Sequence, residues 1–291
     1  MKSSARRLTT SLAGLLLGVT ALTACGGGAS ETASSQAPAG LLGEVTTSKT
    51  LSIGTSNDAP WSTVTDGNAE GIVPDILREF FTRAGIPDVK INSTPMPFDS
   101  LIPSVGSKRI QMIGDAMFAT DERAQKVDFT RTLFYNTEAM VVAPGNPKQV
   151  RTVADLCGKV GATYKGTTWV TTLEDASKAC PGGGSITVKT YSTVYEVMQD
   201  VAAVRVDGAL IDGSIAAYAL RQNPGLKIAL APDYVSPDRA ASDNALAIPK
   251  GDPAFVEKFN TVYSEMLADG TAAKIFDKWG LTPSDQWLAP A

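Results

Sequence analysis

The residues best placed for chemistry lie just after the expected strands. The first strand runs into Thr55-Ser56-Asn57-Asp58-Ala59-Pro60-Trp61, and the third into Gly114-Asp115-Ala116-Met117-Phe118-Ala119-Thr120-Asp121-Glu122-Arg123. A later strand leads into Tyr164-Lys165-Gly166-Thr167-Thr168-Trp169, and another ends at Asp212-Gly213. In open α/β sheets, ligands gather beyond the carboxyl ends of strands. These segments supply one guanidinium, several carboxylates, several aromatics and a helix start rich in hydroxyls. An Arg fork and the free N–H groups of a helix start suit a carboxylate. Asp side chains suit an ammonium group. The chemistry is that of a small zwitterion.

Other chemistries are excluded or weak. The 291 residues contain no histidine, so Ser-His-Asp, Cys-His and His-ligated metal sites cannot be built. Catalysis is left to carboxylate, Lys, Tyr, Ser-Lys or Cys groups. Asp115, Glu138 and Lys165 are the candidate acids or bases, and each reads more plainly as cleft polarity or solvated surface. Lys165-Gly166-Thr167-Thr168 lacks the glycine spacing of a nucleotide-binding loop. No metal cluster and no cofactor are expected.

The elements that must hold these loops alternate between strand and helix. Strands are expected at 51–54, 89–91, 110–113 and 141–143, then at 159–162, 186–189, 208–211, 226–230 and 245–248. Val73, Ile76, Leu77, Phe80, Phe81 and Ala84 mark one face of a helix that Gly85 stops. A short helix ends at Gly106. Further helices are expected at 167–178, 193–203 and 213–222, and one opens at Pro253. Two alternating blocks, divided at Pro144-Gly145-Asn146-Pro147, predict two α/β lobes with parallel-rich sheets.

Composition fits this picture. Hydrophobic residues make up 43 % and charged residues 19 % of the chain, enough for a large buried core. The net charge is −4 and the isoelectric point about 5.0, which argues against a nucleic-acid partner. Lys2, Arg6 and Arg7 precede an uncharged stretch from Leu8 to Ala24, too short and interrupted for a span of about 20 apolar residues. It ends in Leu22-Thr23-Ala24-Cys25, which resembles the lipobox of bacterial lipoproteins. Residues 1–24 are therefore expected to be a signal peptide, Cys25 a lipidated anchor to the membrane, and 25–48 a flexible tether. A plain signal peptide or an N-terminal membrane anchor is the alternative. Cys157 and Cys180 would then remain outside the cytoplasm, where they are expected to pair. Two separate buried thiols are the alternative.

Read in order, the fragments resemble solute-binding family 3, the extracytoplasmic receptors of polar amino-acid ABC importers. The carriers are Gly71-Ile72-Val73-Pro74-Asp75, Phe98-Asp99-Ser100-Leu101-Ile102-Pro103, Thr120-Asp121-Glu122-Arg123-Ala124, Lys165-Gly166-Thr167-Thr168, Arg205-Val206-Asp207-Gly208, Asn223-Pro224-Gly225-Leu226-Lys227, Lys250-Gly251-Asp252-Pro253 and Lys278-Trp279-Gly280. The resemblance implies an α/β, two-lobed periplasmic-binding-protein-like fold (type II), with a two-strand hinge and a ligand cleft between the lobes. Lobe 1 would take 49–142 plus 239–285, and lobe 2 143–238. It also implies a monomer, anchored on the outer face of the cell membrane, that delivers ligand to a permease. By motif position Arg123 would clamp a ligand carboxylate, Thr168 would assist and Asp212 would receive the amino group. Competing roles are a helix-surface ion pair of Arg123 with Asp121 or Glu122, and helix capping by Thr168 and Asp212.

Two positions depart from the amino-acid pattern. Phe118 stands where Thr or Ser is usual, and Asp58 where an aromatic is usual. Trp61, Phe98 and Phe118 could form a box for a diffuse cation, with Asp58 complementing its charge, as in ectoine- or betaine-type receptors. Packing is the competing role of these aromatics. A cyclohexadienyl-dehydratase-like enzyme is the alternative from another class, and a sensor presenting bound ligand to a signalling receptor is a third.

Overall fold

The computed structural model describes residues 40–236, 243–282 and 287–288. The signal peptide, Cys25 and most of the expected tether lie outside these residues. The tether's last stretch is not a tether. Gly40–Ser48 forms helix α1, burying Leu41 and Val45. The Leu41 amide donates to Asp252 Oδ2 at 2.6 Å, a contact across 211 positions that composition could not announce.

Two five-stranded sheets carry the rest. The first comprises β1 (Thr50–Thr55), β4 (Lys90–Pro95), β5 (Met112–Ile113), β6 (Val127–Phe129) and β14 (Ala247–Pro249), in the order β4-β1-β5-β14-β6. The pairs β1–β4 and β1–β5 are parallel, whereas β14 runs antiparallel to β5 and β6. The second sheet comprises β8 (Glu138–Val142), β9 (Val160–Tyr164), β10 (Thr187–Tyr191), β11 (Gly208–Asp212) and β12 (Ala229–Leu230), in the order β10-β9-β11-β8-β12. Its first three strands are parallel and β8 is antiparallel to β11. A hairpin of β2 (Thr63–Thr65) and β3 (Asn68–Glu70) follows the first crossover loop.

Two crossings join the sheets. β7 (Phe134–Tyr135) lies on the outgoing chain and β13 (Asp243–Asn244) on the returning one, and the two pair antiparallel. This ribbon matches the expected two-strand hinge. The expected lobe boundary at Val142 falls too late, because Glu138–Val142 pairs along Gly208–Asp212 and belongs to the second sheet. The return boundary at 238/239 lies outside the described residues.

Helices cover both sheets through apolar stripes. On α2 (Ile72–Arg83), Val73, Ile76, Leu77 and Phe80 are fully buried, each worth about 1.5–3 kcal/mol of removed apolar surface. Phe80 meets Phe255 and Phe259 of α8 (Pro253–Ala268) with ring centroids 5.6 and 5.0 Å apart. Gly71, at φ 125°, must be glycine, since a Cβ there would lie 2.5 Å from the Trp61 carbonyl oxygen. In the second lobe α5 (Thr168–Lys178), α6 (Val194–Ala202) and α7 (Gly213–Gln222) pack likewise. A Thr193–Glu196 capping box starts α6. Short helices α3 (Leu101–Gly106) and α4 (Asp121–Ala124) and the C-terminal α9 (Thr271–Lys278) complete the first lobe. Cys157 and Cys180 are disulfide-bonded, with Cα atoms 5.6 Å apart. Among the described residues no helix is long and apolar enough to cross a membrane.

Candidate functional site

The two sheets turn their carboxyl edges toward one seam. Asp58 follows β1, Asp115 follows β5, Tyr164 ends β9 and Asp212 ends β11, and all four are buried. Arg123, on α4, is 9 % exposed. Its guanidinium donates to the carbonyls of Phe118 at 2.9 Å and of Gly166, in the other lobe, at 2.8 Å. It also stands 5.3 Å above the Phe98 ring. No ion pair of Arg123 with Asp121 or Glu122 forms. Burial lowers the Arg123 pKa to about 10, still cationic at neutral pH, and donors beyond those two bonds remain for a ligand.

Three buried carboxylates, Asp58, Asp115 and Asp212, gather near the Tyr164 hydroxyl. Ser56 Oγ lies 2.7 Å from Asp58 Oδ2 and 2.5 Å from Asp115 Oδ2. The single Ser56 hydroxyl proton serves only one of these contacts at a time, and a second hydrogen bond there needs a proton on a carboxyl. Burial raises Asp58 well above the usual carboxylate range, and the Asp115 charge adds to it. Burial likewise lifts Asp115 to about 6, against the pull of the Ser56 and Ala116 donors. Asp212 is raised by burial too. Its Oδ1 accepts the Ser214 and Ile215 amides at 2.9 and 3.1 Å, capping α7, while Asn136 Nδ2 reaches Oδ2. The capping role weighed for Asp212 is therefore real. The Trp61 indole and the Asn136 amide also pull on the Asp212 carboxylate, opposing the effect of burial. Among the described residues no group of His, Cys, Asp and Glu is spaced to hold a metal ion.

Arg123, Phe98, Phe118, Thr168 and Asp212 converge on one small cavity of about 20 Å³. The helix-capping position falls on Thr167, not Thr168. The Thr168 amide, at the first position of α5, makes no hydrogen bond among the described residues, and Thr168 lines this cavity. Trp61 does not join. It is fully buried, stacked on Phe134 at 3.9 Å and edge-on to Phe276. Its residue type suggested a box, but its place in the β1–β2 crossover turns it into the core. The ring wall is built instead by Phe98, Tyr164, Trp169 and Phe118, in successive edge-to-face contacts of 5.7–5.9 Å. Tyr164 and Trp169 flank the Lys165-Gly166-Thr167-Thr168 fragment, so strand end plus aromatic was the signal available. Asp58 touches the cluster through Ser56 but lines a separate chamber. Of the catalytic candidates, Glu138 accepts the Tyr234 hydroxyl at 2.8 Å and Lys165 is exposed.

Comparison with known proteins agrees with this architecture. The family described as bacterial extracellular solute-binding proteins, family 3, matches residues 51–282. The arginine-binding extracellular protein ArtP of Bacillus subtilis is 26 % identical over 261 residues, covering 89 % of this chain and 92 % of that one. The Escherichia coli ABC transporter arginine-binding protein 1 is 30 % identical over 182 residues, covering 62 % and 71 %. An ancestral arginine-binding protein solved with arginine superposes with a TM-score of 0.70 at 29 % identity, covering 80 % and 98 %.

Proposed function

Since the chain belongs to the bacterial extracellular solute-binding proteins of family 3, we propose that it captures an amino acid with a basic side chain for an ABC importer. The observation that carries this is the charge arrangement at the seam. Asp58, Asp115 and Asp212 are buried together near Tyr164, with Arg123 lining the cavity at Asp212, and buried charges require partners. A basic amino acid brings two cationic groups and one carboxylate. Arg123 and the Thr168 amide would take the carboxylate, Asp212 Oδ2 the α-ammonium, and the Asp58–Asp115 pair the distal cation, displacing their shared proton. Relatives that bind arginine support this choice.

The hinge supplies the mechanism. Open lobes admit the ligand, and closure brings Gly166 onto Arg123 and shields the acids. Ligand shifts the population toward the closed form by contacting both lobes only there. The closed face would then dock on a permease, with lipidated Cys25 as the anchor outside the cytoplasm. The family's relatives are solute-binding proteins, and the chain is read as non-catalytic. A second reading has one observation behind it: the four-ring wall suits an alkylated ammonium such as betaine or ectoine. Calorimetric titration with L-arginine, L-lysine, ectoine and glycine betaine tests both. Binding of the basic amino acids supports the first, and binding of ectoine or betaine alone replaces it with the second.

A further inference from the structure

Arg123, Phe98 and Thr168 line both an enclosed cavity of about 20 Å³ and a groove of about 750 Å³, and a separate chamber of about 400 Å³ is lined by Asp58. Its walls come from both lobes: Asp58 and Val64 from the first, Met198 and Tyr218 from the second, with Tyr195 and Trp279 at the sides. Among the described residues no Lys or Arg lines it, and Glu70 does. The guanidinium of Arg221 and the ammonium of Lys278 sit over the rings of Tyr218 and Trp279, at 5.7 and 5.5 Å, without entering. The polar anchor is Asp58, 5 % exposed, whose Oδ1 accepts no hydrogen bond among the described residues while Oδ2 takes Ser56. A buried carboxylate with a spare oxygen, on a chamber whose apolar and aromatic walls are interrupted by Glu70, Gln199 and Asn223, suits a cation continued by a largely apolar group.

We propose that this chamber is a subsite for the tail of the ligand, so that the preferred solute is a basic amino acid bearing a further organic substituent on its distal nitrogen. The inference rests on the basic-amino-acid reading. The distal cation lies at Asp58, and the substituent passes between β2 and α7 into the chamber. Because Val64 and Tyr218 belong to different lobes, a substituent there also rewards closure.

The test compares L-arginine with Nω-propyl-L-arginine, which keeps its charge, by calorimetry on wild type and on Ala219→Trp. Ala219 lines the chamber on α7 and is remote from the Arg123 cavity. Wild type should bind the propyl compound at least as tightly as arginine, and Ala219→Trp should weaken the propyl compound about tenfold while sparing arginine. Val64→Trp, from the opposite wall, gives the same selective loss should Ala219→Trp not fold. Wild type that binds arginine but rejects the propyl compound overturns the subsite, as does an equal loss of both ligands in the variants. Failure of both probes on folded wild type overturns the basic-amino-acid reading and the subsite with it.

Discussion

Replacing Gly166 with Ala should disable closure while leaving each lobe folded. Gly166 has φ 80°, and a Cβ there would lie 2.8 Å from Asp99 Cα and 3.0 Å from Asp99 N. Asp99 belongs to the opposite lobe, in the short 3-10 turn Phe98–Ser100. Backbone atoms cannot swing aside as a side chain could. Two costs follow and they separate. A left-handed Ala costs about 1–2 kcal/mol in open and closed forms alike, lowering the ligand-free melting temperature by roughly 2–8 °C. The contact with Asp99 exists only when the seam is shut, and overpacking of this kind costs roughly 1–3 kcal/mol. The closed population falls accordingly, and the apparent Kd for ligand rises about 5- to 150-fold. Calorimetry with L-arginine and melting curves with and without it read both effects. A variant that melts lower but binds with wild-type affinity would show that ligand is held without the Gly166–Asp99 approach, and closure would not be what Gly166 permits.

Other consequences are as direct. Asp115 is raised to about 6, so its protonation favours the folded, ligand-free protein at low pH and that contribution is lost as pH rises through about 6. Asp115→Asn should therefore raise the melting temperature relative to wild type above pH 7, and the advantage should vanish near pH 4. Affinity for a cationic ligand should conversely rise through the same window, with proton release visible as heat that depends on the buffer. Replacing Cys157 and Cys180 with Ser opens a 23-residue separation and should cost about 3 kcal/mol, or roughly 6–12 °C in thermal melts. Trp61→Ala should destabilise by about 3–5 kcal/mol as a core deletion. Phe118→Ala should change ligand affinity with far less effect on melting, and equal stability losses in the two would contradict their assigned places.

Much of the fold was legible because burial and periodicity agree. The stripe on α2 and the strands ending at Asp212 and Ile113 need only local sequence to be seen. What escaped depends on partners far along the chain. Helix α1 is held by Leu41 and Val45 against α8, and its Gly, Thr and Ser content mimics a linker. The strand Glu138–Val142 reads as a strand either way, and only its pairing with β11 assigns it to the second lobe. At the site, charged residues were easier to place than aromatic ones. A buried Asp or Arg has few alternatives to a polar cleft, whereas Trp61, Phe98 and Phe118 are equally at home in a core. Trp61 took that option and Tyr164 with Trp169 supplied the ring wall.

The seam is proposed to bind a solute with two cationic groups and one carboxylate. The most direct measurement is calorimetric titration of the chain from residue 26 onward, which keeps α1, with L-arginine and L-lysine beside L-glutamine and glycine betaine. Saturable binding of the basic amino acids is expected, abolished by Arg123→Ala and weakened by Asp58→Asn. Tighter binding of glutamine or betaine, or arginine binding untouched by either substitution in a folded protein, would contradict it.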